Sequence, residues 1–301
     1  MTENKKPKPY HIWLRDKQQR DSQREPGDLL GYNLHTFHTL AKNIDGIQQG
    51  FYIIGAEANI GKTALLTNLM LDMLKTNPQI KALYFSLDDS AEVITNRFLA
   101  ILSNLPINRI QRRLEGDEKE ALNEAYNIIY DYAEKGRLII KDLSEVYTIG
   151  RLESEIRLRA ARDIFIAIDG IYNLDVEGNR GGIREENIER ANHLKTIVDT
   201  YSLPLVCTAE VRKRSLGQIS RDLTIHDIME SGKFSYNANL ILLLGEEEET
   251  GVNKRTANFN DEESVTLIVT YAKNKLSWFK GRQKLQFFRR QGRMLEVIEV
   301  G

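Results

Sequence analysis

The chain has 301 residues, 41% of them hydrophobic and 28% charged, with a formal net charge of −1 at pH 7, a balance that excludes whole-chain attraction to nucleic acid and leaves any basic surface to be local or built by assembly of several chains. The one cysteine, Cys207, excludes an intrachain disulfide and a cysteine-based zinc site and fits a reducing compartment. No apolar run reaches transmembrane length and "MTENKKPKPYHIW" has no hydrophobic leader, so the expectation is a cytoplasmic protein with no membrane partner.

Residues 1–30 are polar and basic, with Lys5, Lys6, Lys8, Arg15, Lys17, Arg20 and Arg24 broken by Pro7, Pro9 and Pro26. They read as a solvated tail or linker. A second reading is an arm that docks on a neighbouring subunit through Tyr10, Ile12, Trp13 and Leu14, because an aromatic cluster in a basic tail stays exposed without a partner.

From Phe51 onward short apolar runs alternate with helical patterns. Strands are expected at 51–54, 82–87, 137–142, 164–169, 204–209 and 239–244, with helices at 62–76, 90–103, 117–134, 149–161 and 185–201. Nearly continuous apolar strands separated by helices describe an α/β fold with a mainly parallel sheet covered on both faces. The last third changes to consecutive strands at 265–275, 283–290 and 294–300, an antiparallel extension of that sheet. Between the two parts "GEEEETGVNKRTANFNDEE" is too polar to be buried and reads as a solvated loop.

"AEANIGKT", Ala56 to Thr63, meets the pattern of a phosphate-binding P-loop, with Ala at the first position where Gly is commoner. Its context matters more than its letters, since it follows the strand "FYIIG" and opens the helical run "KTALLTNLMLDMLK". The expected ATP-binding residues are therefore Ala56, Asn59, Ile60, Gly61, Lys62, Thr63 and Ala64. Amides of the loop and helix start cradle the phosphates, Lys62 supplies a positive charge, and Thr63 holds Mg²⁺. A second magnesium residue is expected at the carboxyl end of a buried strand, where "DIFIAIDG" supplies Asp169. "ALYFSLDD" ends another strand in Asp88 and Asp89; Asp88 is the candidate that orients the attacking water, and capping of the helix that starts near Ser90 is the alternative role for the pair.

Six blocks in order then resemble the RecA-like motor domain of DnaB-type replicative hexameric helicases, from about Gly31 to Leu295. They are "GYNLHTFHTLAKNIDGIQQGFYIIGAEANIGKTALLTNL", "YFSLDDSAEVITNRFLA", "IAIDGIYNL", "REENIERANHLKTIVDTYSLPLVCTAEVRK", "LTIHDIMESGKFSYNANLILLL" and "VTYAKNK". The resemblance implies a RecA-like P-loop ATPase domain over 31–301, an assembly commonly of six copies around single-stranded DNA, and a nucleotide shared between two subunits. It further implies that Lys273 and Lys275 reach a neighbour's nucleotide in trans, and "KNKLSWFK" is also similar to the RecA recombinase segment that does so with two lysines.

Several positions depart from the family pattern. Asp88 stands where the family has a catalytic glutamate, one methylene longer, which slows hydrolysis if the base is misplaced. Glu210 replaces a sensor glutamine and brings an acceptor in place of an amide donor. The family's DNA-facing Arg-Glu-Ser-Gly reads Met229, Glu230, Ser231, Gly232 here, followed by Lys233 as a substitute cation. The glycine-rich stretch after Asp169 puts Arg180 and Arg184 on a second candidate DNA loop. Only about 30 residues precede the motor domain, so the family's separate primase-binding helical domain is not expected, and recruitment would fall to the short arm or to another replication protein.

The leading expectation is an ATP-dependent helicase or translocase on single-stranded DNA. The alternatives are a RecA-like recombination protein, favoured by the lysine pair, and a nucleotide-binding scaffold or loader with weak turnover, motivated by Asp88, Glu210 and Met229.

Overall fold

The computed structural model describes residues 9–159, 163–178, 181–212, 223–228, 232–247 and 264–297. In chain order its elements are α1 (Tyr10–Ser22), α2 (His38–Ile44), β1 (Gly50–Ala56), α3 (Lys62–Thr76), β2 (Lys81–Ser86), α4 (Ala91–Ser103), α5 (Gly116–Glu134), β3 (Leu138–Asp142), α6 (Ile149–Arg159), β4 (Ile164–Asp169), α7 (Ile183–Tyr201), β5 (Pro204–Glu210), α8 (Gly232–Asn237), β6 (Leu240–Glu246), β7 (Val265–Asn274), β8 (Arg282–Phe288) and β9 (Arg293–Glu296).

The strands form one nine-stranded sheet in the order β3-β2-β4-β5-β1-β6-β7-β8-β9. The first six in that order run parallel, and β7, β8 and β9 add on antiparallel. The chain is thus an α/β domain with a mainly parallel sheet and an antiparallel C-terminal extension. Side chains alternate across the central strand: Tyr52, Ile54 and Ala56 enter the core under α2, α3 and the C-terminal strands, while Phe51 and Ile53 enter the core under α6 and α7. β1 is buried along its whole length because both faces are covered. The same reasoning explains α3, buried continuously from Ala64 to Leu74 between the sheet and the elements laid over it.

Three elements are absent from the sequence expectations. The polar N-terminal segment is helical over Tyr10–Ser22, started by Pro9 and supported by the Lys17–Asp21 pair four residues apart, and it buries no side chain. The reading of a solvated segment did not name this helix, which is exposed along nearly its whole length. The short helices α2 and α8, seven and six residues long, offer too few turns for a periodic signal. Of the polar segment expected as a loop at 245–263, Gly245 and Glu246 instead end β6, paired with β7, and 248–263 fall outside the described residues, as do 160–162 at the end of the helix expected over 149–161.

Leu29 packs against the core and Leu30 N donates to Asp45 Oδ1 at 3.1 Å, and the Gly31 backbone lies so close to Ile47 that a Cβ would stand 2.4 Å from its carbonyl carbon. Tyr32 then pairs with Ile47 and bonds through its hydroxyl to Asp163.

Candidate nucleotide site

Parallel pairing brings the carboxyl ends of four strands to one edge. Ala56 lies in register with Glu210, and Ser86 with Asp169, so the P-loop, Asp88, Asp169 and Glu210 meet where α/β sheets bind ligands. The loop turns through two left-handed positions, Asn59 at φ 65° and Gly61 at φ 118°. At Gly61 the backbone also passes beneath the C-terminal strands, where a Cβ would lie 2.9 Å from the Met294 terminal methyl and 3.1 Å from the Phe287 ring. Those strands are fixed to the helix by buried Asn68, whose amide donates to Gly292 O at 2.8 Å and accepts from Met294 N at 3.1 Å.

Lys62 donates to the loop carbonyls of Ala56 at 3.2 Å and Glu57 at 3.1 Å. Burial lowers its pKa, and the charges of Glu210, Asp169 and Asp88, in that order of strength, oppose the shift. Lys62 is therefore the cation on which three carboxylates converge, and phosphate oxygens would find it within the loop.

Asp169 is 1% exposed. Thr208 Oγ1 donates to its Oδ1 at 2.7 Å, Thr63 Oγ1 to the same atom at 3.2 Å, and Tyr84 OH to its Oδ2 at 3.1 Å. Burial raises its pKa, while these three hydroxyls and the nearby Arg97 charge lower it. A buried carboxylate satisfied by hydroxyl groups, with the P-loop threonine on the same oxygen, is a donor set that suits a hard divalent cation. Magnesium takes one or two protein oxygens and completes its shell with water and phosphate. Thr63 and Asp169 fit that ion.

Asp88 stands at the mouth of the site. Asn173, on the short 3-10 turn Ile171–Asn173, donates its amide to Asp88 Oδ1 and to Leu87 O, the latter at 3.0 Å. Gly170 makes this possible at φ 85°, because a Cβ there would lie 2.6 Å from the Asp88 carboxyl carbon. Burial and then the carboxylates of Asp169, Asp89 and Glu210 raise the Asp88 pKa, with Lys62 acting the other way. Neither aspartate caps α4: Ser90 accepts from Val93 N at 3.3 Å, Asp142 accepts from Ala91 N at 2.9 Å, and Asp89 pairs with Arg97 at 3.1 Å. The capping role weighed for Asp88 and Asp89 is thereby corrected.

Tyr84, Thr208, Gly170, Asn173 and Arg97 escaped the sequence reading. Only Asn173 carried a local signal, a polar residue four positions after Asp169 in an otherwise apolar stretch. Gly170 directly follows Asp169 in the chain, whereas Tyr84, Thr208 and Arg97 come from β2, β5 and α4.

Lys273 and Lys275 lie elsewhere. Lys273 pairs with Ile241, which pairs with Ile53, near the amino ends of the parallel strands. Ile53 precedes Ala56 by three residues, roughly 10 Å along the strand at about 3.3 Å per residue, and two strand spacings separate β7 from β1. Lys273 Nζ donates to Tyr236 O at 3.0 Å and to Ser235 O, and burial, followed by the charge of Lys275, lowers its pKa to about 8. Lys275 is exposed, 5.9 Å from the centre of the Tyr236 ring.

Of the candidate DNA residues, Arg180, Glu230 and Ser231 lie outside the described residues. Arg184 is in the first turn of α7, not on a loop, and Gly232 opens α8. Arg184 and Lys233 line one cleft of about 810 Å³ together with Arg212, His226, Tyr236 and Lys273. Lys233 also lies 4.9 Å over the Tyr236 ring. Among the described residues no helix is long and apolar enough to cross a membrane.

Comparison with known proteins adds the lineage. Residues 34–293 match the DnaB-like helicase C terminal domain. A probable plasmid replicative DNA helicase of Chlamydia trachomatis serovar L2 is 26% identical over 240 residues, covering 78% of this chain and 51% of that protein. A replicative DNA helicase DnaB of Helicobacter pylori strain J99 is 24% identical over 213 residues, 69% of this chain and 42% of that protein. The chain thus spans about half the length of the curated relatives it matches. Among solved structures, one described as an ATPase domain superposes with a TM-score of 0.80 at 16% identity, covering 96% of this chain and 98% of that one. A DnaB-like replicative helicase studied with primase superposes equally well, with a TM-score of 0.80 at 16% identity over 97% of this chain and 69% of that one. The curated relatives are described as helicases, which does not favour the recombination or loader readings. The chain belongs to the DnaB-like helicase C-terminal domain family.

Proposed function

We propose that this chain is the ATP-hydrolysing motor of a replicative DNA helicase, working in the cytoplasm as a ring of copies, six by family resemblance, that moves along single-stranded DNA. The observation that carries the reading is the meeting of P-loop and strand-end carboxylate, Thr63 Oγ1 on Asp169 Oδ1 at 3.2 Å beside Lys62.

In this reading the loop from Ala56 to Ala64 binds the triphosphate, and Lys62 neutralises its terminal oxygens. Thr63 and Asp169 hold magnesium, which when bound supplies charge neutralisation at the phosphates. Asp88, oriented by Asn173 over Gly170, positions the attacking water and accepts its proton. Glu210 acts on the charge of Lys62 from the next strand. Lys273 and Lys275, far along the sheet from their own P-loop, serve a nucleotide held by another copy. Arg184 and Lys233 lead the strand through the cleft they share with Gly232, joined by Arg180 from the segment before α7 and by Glu230 and Ser231 from the segment before α8. A net charge of −1 permits this, because a ring concentrates its basic residues around one pore. Recruitment to DNA by other replication proteins belongs to the same reading.

The test is steady-state ATP hydrolysis with and without single-stranded DNA, using Lys62→Ala to control for contaminating activity. DNA-stimulated hydrolysis lost in that variant is the expected result, followed by unwinding of a forked duplex. ATP binding and assembly without hydrolysis overturn the motor.

A further inference from the structure

Trp278 is 90% exposed, and it is held out by one of the most heavily braced turns in the chain. The side chain of Asn274 accepts from Leu276 N at 3.0 Å and Ser277 N at 3.2 Å, and donates to Ser277 Oγ at 2.9 Å and Phe279 O at 3.1 Å. Ser277 Oγ donates to Asn43 O, tying the turn to the end of α2. The neighbouring Phe279 is turned inward onto Tyr271, ring centres 4.9 Å apart. Two adjacent aromatics therefore have opposite fates: one anchors the turn, and the other is presented to solvent on a rigid base. Rigid presentation lowers the ordering entropy of a contact, and indoles are over-represented among residues that dominate interfaces.

The turn lies beyond the amino ends of the parallel strands, since Lys275 N bonds to Asn239 O just before β6 begins. It carries Lys275 and Lys280 and no carboxylate. The opposite edge of the same sheet is acidic, with Glu57, Asp88 and Glu210 around Lys62. One end of the molecule is thus complementary in charge to its other end, which favours a head-to-tail contact between copies. Contacts of that kind close into rings when the rotation permits.

The geometry points to Trp278 as the anchor of a head-to-tail interface, in which the 274–280 turn of one copy docks on the strand-end face of the next, beside its nucleotide. This rests on the motor reading, because it places Trp278 three residues beyond the lysine assigned to act in trans.

The sequence has two tryptophans, Trp13 and Trp278, so Trp13→Phe leaves a single indole reporter. With magnesium and a non-hydrolysable ATP analogue but no DNA, the Trp278 emission is expected to become shielded from acrylamide as sedimentation shows assembly, and Lys62→Ala is expected to show neither. Trp278→Ala is expected to require about tenfold more protein for half-assembly, with Trp278→Phe intermediate and thermal unfolding unchanged, since the side chain is exposed. Assembly of Trp278→Ala at the parent concentration overturns the proposal and leaves the motor reading standing. Shielding that appears only with single-stranded DNA assigns the indole to DNA and overturns it too. A parent chain that never assembles overturns both.

Discussion

A Cβ on Gly170 would sit 2.6 Å from the carboxyl carbon of Asp88. The residue after Asp169 is therefore glycine so that the neighbouring strand's aspartate can lie over it. Gly170→Ala adds left-handed backbone strain at φ 85° to that clash. Hydrolysis is expected to fall about a hundredfold with nucleotide affinity retained, the signature of a displaced base. Asn173→Ala, which removes only the amide, is expected to lose about tenfold in kcat and to move the acidic limb of the pH profile upward. Equilibrium binding of a fluorescent ATP analogue beside steady-state kinetics checks both.

Asp169 sets function against stability. Its folded-state pKa is raised by burial, so its favourable contribution is fully present below the unfolded value near 3.8 and is lost as pH rises through the folded value. At neutral pH the buried charge is a cost. Asp169→Asn is expected to abolish magnesium-dependent hydrolysis while raising Tm by about 2–4 °C at pH 7, with the gain vanishing toward acid. Calorimetry at several pH values reads the sign.

Lys273 titrates near pH 8. If it neutralises a neighbour's phosphate, hydrolysis falls as pH rises through that value, because the neutral amine carries no charge. Lys273→Arg keeps its charge across the range and is expected to remove this alkaline limb. A pH–rate profile of the two proteins from pH 7 to 9.5 decides it.

Asn68 links the P-loop helix to the strands that roof the loop. Asn68→Ala leaves Gly292 O and Met294 N without this partner in a buried setting, at an expected cost of about 2 kcal/mol. Urea unfolding measures the loss.

Much of the architecture is legible in the sequence. The strands at Gly50–Ala56, Ile164–Asp169 and Pro204–Glu210 and the helix at Lys62–Thr76 stand within two residues of where apolar runs and helical periodicity put them, because burial on both faces writes itself into consecutive residues. α1 was hidden because it carries no apolar stripe and buries no side chain. α8 was hidden by its brevity.

The sequence by itself located the P-loop pattern, since Ala56 to Ala64 is one continuous segment whose chemistry is carried by its own backbone. It also named Asp88, Asp169 and Glu210, because strand ends are visible one strand at a time. Only the tertiary structure decided their partners. Tyr84 and Thr208 reach Asp169 from two flanking strands, Asn173 reaches Asp88 across β2 and β4, and Lys273 is held by the carbonyls of α8 away from its own P-loop. Those pairings depend on sheet order, and the order β2-β4-β5-β1-β6 is set by packing between residues far apart in the chain, which no local pattern encodes.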